Sequence, residues 1–156
     1  MSAVGSLPVA VRGEAAEVAS AEARAVLSMV QDEERRGKLA DLVAALEDGE
    51  VDGDDAQALE ELLELGLQTG RVRALYGPEG ETAALALYRR LPRGKELAEA
   101  AREVTAALAA LEGRTIEKVT VTASGPAAHL VTVGAEGLEL SIRLDRQGAR
   151  LTTVGI

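Results

Sequence analysis

At Gly113 the hydrophobic pattern of the chain changes period, and this change limits the possible folds more than any other feature. Before it, Leu97, Ala101, Val104, Leu108 and Leu111 recur at three- and four-residue steps, which predicts an amphipathic helix over Lys95 to Glu112 with Gly113 just past its end. After it, apolar residues return every second position. Val119, Val121 and Ala123 alternate with Lys118, Thr120 and Thr122, and Leu138, Leu140, Ile142 and Leu144 alternate with Glu139, Ser141, Arg143 and Asp145. A period of 3.6 puts an apolar stripe on a cylinder, whereas a period of two puts it on one face of a pleated sheet. Leu130 to Val133 and Ala149 to Val154 supply two further strands. Their connections are short enough for hairpins, and Asp145-Arg146-Gln147-Gly148 fits a turn whose glycine can take positive φ. The expectation is a four-stranded antiparallel meander whose apolar face is covered by the helix preceding it.

The region before Lys95 reads as helical. From Glu14 to about Asp48 it is rich in Ala, Leu, Glu and Arg, with Leu39, Leu42, Val43 and Leu46 at helical spacing and a kink or break expected at Gly37. Asp48 to Asp55 reads as a turn in which Asp52 or Asp54 caps the next helix, whose apolar face is Leu59, Leu62, Leu63 and Leu65. Gly66 and Gly70 weaken or end it. Arg71 to Tyr76 leads to Gly77-Pro78, where proline suits the first turn of a new helix, and Pro92 stops that helix by Leu91. The fold class is therefore α+β: a helical N-terminal region of four to five helices, followed by a long helix packed on the four-stranded antiparallel meander. The expected divisions are a flexible segment over 1–13, a helical region over 14–92, and a helix-plus-sheet domain over 93–156.

Composition narrows the function. Tyr76 and Tyr88 are the only aromatic residues and the net charge is −9, so the stacking platforms and positive groove of a nucleic-acid binder are missing. There is no cysteine, which removes thiolate zinc sites, cysteine nucleophiles and disulfides, and suits a reducing compartment. Met1 to Arg12 lacks the basic and apolar parts of a signal peptide, and no stretch approaches the roughly 18 apolar residues of a spanning helix. A cytoplasmic protein is expected, with neither nucleic acid nor membrane as a partner. Charge is uneven: residues 1–70 hold sixteen acidic and five basic side chains, and residues 71–156 hold ten and twelve.

Four candidate sites follow. Asp48, Glu50, Asp52, Gly53 and Asp54 fall at calcium-loop positions, but Asp55 stands where a hydrophobic residue belongs and Leu59 where a glutamate should close the shell, so a capped turn and no metal are expected. His129 is the only histidine and has no serine or carboxylate at a diagnostic spacing. Arg89, Arg90, Arg93 and Lys95 could hold an anion or an acidic partner, and they equally suit a helix end. The acidic face of Glu47, Glu60, Glu61 and Glu64 reads as a solvated surface, which could also steer basic partners. No glycine-rich phosphate loop accompanies these residues, and no cofactor is expected.

The helix and meander ending in Leu144-Asp145-Arg146-Gln147-Gly148-Ala149-Arg150-Leu151 resemble the tail of cystatin-like and nuclear-transport-factor-2-like folds over the last third of the chain. The motif is a strand turning at D-x-x-G, and the resemblance implies neither an activity nor a site. Two functions remain. The first is a non-catalytic protein-interaction module, an adaptor or small acidic chaperone-like protein, self-associating as a homo-oligomer through the sheet edge or the leucine-rich helices and meeting partners through Arg89, Arg90, Arg93 and Lys95. The second is a small-molecule-binding or weakly enzymatic pocket between the 95–112 helix and the sheet, with His129 and Asp145 as its polar groups.

Overall fold

Helix gives way to sheet where the hydrophobic period changes. The computed structural model describes residues 7–156, which form five helices followed by a four-stranded antiparallel sheet, an α+β arrangement. The chain makes two compact units, one ending at Lys95 and the other running over Glu96–Ile156. Part of the expected flexible segment 1–13, residues 1–6, lies outside the described residues. Val9–Ala10 form a short strand, β1, antiparallel to β2 at Glu50–Val51, and Arg90 donates from its guanidinium to the carbonyl of Ala10 at 2.6 Å.

In the first unit, α1 (Gly13–Met29) and α2 (Glu33–Asp48) are separated at Val30 to Asp32 rather than at the expected Gly37. The cause is local. Asp32 Oδ2 accepts from the Arg35 N–H at 2.9 Å and so gives α2 a satisfied beginning, while Gly37 sits exposed inside α2. A lone glycine costs an exposed helix only about 1 kcal/mol, too little to break it. Next comes α3 (Gly53–Gln68), with Asp52 at its N-cap position but no hydrogen bond from that side chain to the free N–H groups. Its buried stripe is Leu59, Leu62, Leu63 and Gly66, and Leu65, expected on that face, is 58% exposed. The stripe steps by three, one and three residues, and position 65 falls off it.

Arg71–Tyr88 form α4, bent at Gly77, whose φ of 73° and ψ of −177° are open to glycine and costly to other residues. Pro78 then opens the second part of the helix, as its missing N–H favours. Short connections place consecutive helices side by side, and α1 also packs on α4. The shared core contains Leu42, Leu59, Leu63, Val72 and Leu87, all buried.

The helix α5 (Pro92–Ala109) crosses from one unit to the other and continues as tight turns to Gly113, where φ is 74°. The sheet follows as β3 (Ile116–Gly125), β4 (Ala128–Ala135), β5 (Leu138–Asp145) and β6 (Gly148–Gly155), each paired with the next. Registers Val119↔Val133↔Leu140↔Val154 and Val121↔Val131↔Ile142↔Leu151 place these residues on one face. On that face Val133, Leu140 and Ile142 of the central strands are buried, and so is Val104 of α5. Leu97 of α5 lies against the start of β6, where a Cβ on Gly148 would come within 2.9 Å of it.

Candidate functional site

The exposed part of the sheet's apolar face belongs to β3. Ile116 is 56%, Val119 57% and Val121 65% exposed, and they share the face of the buried Val133, Leu140 and Ile142. Geometry explains the difference. The buried residues stand on the central strands β4 and β5, and the exposed ones on the outer strand β3. On the other outer strand, β6, Val154 is 56% exposed. Because β3 pairs only with β4, its second row of backbone N–H and C=O groups has no partner among the described residues.

The opposite face is polar and regular. Thr120, Thr132, Ser141 and Thr153 stand in one row across all four strands. The Thr132 and Ser141 hydroxyls are 3.1 Å apart, and the Thr152 hydroxyl donates to the Ser141 carbonyl at 3.0 Å. Thr122, Leu130, Arg143 and Arg150 make the row beside it.

The first unit uses its tyrosines to satisfy glutamates. Glu22, whose side chain is 3% exposed, accepts from the Tyr76 hydroxyl at 2.9 Å. Arg71 Nε lies 3.3 Å from its other carboxylate oxygen, an ion pair without the alignment of a hydrogen bond. Glu60, also buried, accepts from the Arg93 N–H at 2.9 Å, which caps the first turn of α5. Glu64 receives the Arg93 guanidinium at 3.2 Å and the Tyr88 hydroxyl at 3.4 Å. Burial, then the hydrogen bond and charge of Glu22, push the Tyr76 phenol above its ordinary range. Burial and the Glu64 charge do the same to Tyr88. Two residues expected on a solvated acidic face, Glu60 and Glu64, are thus internal hydrogen-bond acceptors.

The basic cluster is divided by the fold. Arg90 is held by Ala10 and Arg93 by Glu64, while Arg89 and Lys95 are exposed and make no ion pair among the described residues. His129 is exposed on β4 opposite Leu144, and alternation along β5 puts Asp145 on the other face from Leu144. The Asp145 carboxylate accepts from Arg143 at 3.0 Å and from the Gln147 N–H at 2.8 Å, and these bonds hold its pKa below the usual range. Those are the contacts of a turn former. Among the described residues no group of His, Asp and Glu could hold a metal, and the acidic turn is already helical from Gly53. Burial, then the carboxylates of Asp41, Asp52 and Asp54, push Asp55 up.

A cavity of about 110 Å³ lies between α1, α2 and α3, floored by Val26, Leu39 and Leu62 with Arg35, Lys38 and Glu61 around it. No helix among the described residues is long and apolar enough to cross a membrane. No known family, curated protein or solved structure matches this chain.

Proposed function

We propose that this chain is a non-catalytic protein-interaction module of the cytoplasm that associates with itself through its sheet. The observation carrying this reading is the exposure of Ile116, Val119 and Val121 together on an outer strand, where apolar surface and unpaired backbone groups coincide. Surfaces of that kind lose their cost when a second chain covers them. The basic cluster is a weaker candidate, because Arg90 and Arg93 already serve the fold. Reversing their charge would disturb β1 and α5 as well as any partner.

Native mass spectrometry tests the reading. The expected species has twice the 16.2 kDa chain mass and no added small molecule. A monomer carrying a retained small molecule would overturn it in favour of a binding pocket.

A further inference from the structure

We infer that two copies pair β3 with β3, antiparallel, about a two-fold axis at Thr120, so that two four-stranded sheets join into one of eight. This rests on the self-association proposed above and adds the interface and its register. The occupant is a second copy because the strand complements itself. With Thr120 facing Thr120, Val119 of each chain meets Val121 of the other on the apolar face, and Lys118 meets Thr122 on the polar face. Faces are preserved, as antiparallel pairing requires, and valine pairs of this kind are the stabilising unit of a sheet. The hydroxyl row Thr153-Ser141-Thr132-Thr120 would continue unbroken into its symmetry mate.

Charge favours the same surface. Glu96–Ile156 contains eight acidic and six basic residues, a net of −2, against −7 for the remainder of a chain whose total is −9. Two copies meeting through the sheet therefore bring together the less negative unit. In the proposed register Glu117 lies across from Ala123 and Lys118 from Thr122, so no like charges oppose each other.

The other outer strand is guarded. In β6 the ladder is broken at its middle, where Ser141 pairs with Thr153 but Ile142 with Leu151, and such a bulge twists an edge away from a partner. The irregularities of β3 lie near its ends, between Ile116 and Lys118 and between Ala123 and Gly125, leaving Lys118 to Ala123 regular. No proline or inward charge interrupts that run.

The experiment combines light scattering on a sizing column with cysteine cross-linking, which is clean because the chain has no cysteine. The wild type is expected as a dimer. The double substitution Val119→Lys with Val121→Lys should raise the dissociation constant about 100-fold or more, since it places four charges where apolar side chains meet. Circular dichroism of the variant should match the wild type, because both valines are exposed in a single chain. Under mild oxidation Thr120→Cys should link chains far faster than Lys118→Cys or Thr122→Cys. A wild-type monomer would overturn self-association altogether. A dimer unaffected by the lysines would leave self-association standing and overturn the β3 interface, and linkage of Cys at 122 as fast as at 120 would overturn the register.

Discussion

Glu22 shows how much one side chain can decide. A carboxylate this buried is costly unless its oxygens are occupied, and Tyr76 and Arg71 occupy them. Glu22→Ala should lower stability by about 2–4 kcal/mol in urea unfolding at neutral pH, because it strands the tyrosine hydroxyl and the guanidinium. Tyr76→Phe should cost about 1 kcal/mol. Both tyrosines also predict a pH dependence. Their folded pKa values lie above the unfolded value of about 10, so the contribution is complete below that pH and is lost as pH rises through the folded values. The urea midpoint should fall as pH rises above about 10, and the Tyr76→Phe, Tyr88→Phe variant should fall less steeply. None of these pairs was legible in the sequence. Glu22 and Tyr76 are 54 positions apart, and a glutamate destined for burial looks the same in a helical pattern as one facing solvent.

At the scale of the element, most of the reading came from periodicity, capping and proline. The strands of the meander, the stop before Pro92 and the start at Pro78 follow from local rules that tertiary packing did not override. The misplaced break in the first helices has an equally local origin, a choice between a capping aspartate at 32 and a glycine at 37. Gly37 has open space around its Cα, so Gly37→Ala should raise stability by about 0.5–1 kcal/mol. Gly94→Ala should do the reverse, since its Cβ would collide with the Tyr88 carbonyl where α5 begins. Thermal unfolding of the two variants side by side reads both signs.

Across the whole molecule, alternation marks the same valines as sheet residues whether or not anything covers them. Strand order separates them: Val133 in the middle is buried, and Val121 at the edge is open. The sequence therefore identified the face and could not separate its centre from its border. The division of the basic cluster was hidden for a related reason, because pairing of Arg93 with Glu64 joins residues from two helices distant in the chain. On the sheet, the surface proposed for a partner is an apolar, weakly charged outer strand. Its pairing with a second copy is most directly read by amide hydrogen exchange of β3 at rising protein concentration. The outward-facing amides between Lys118 and Ala123, those not bonded to β4, are expected to become protected as concentration increases while those of β6 do not; exchange of these β3 amides that is fast and independent of concentration would contradict the pairing.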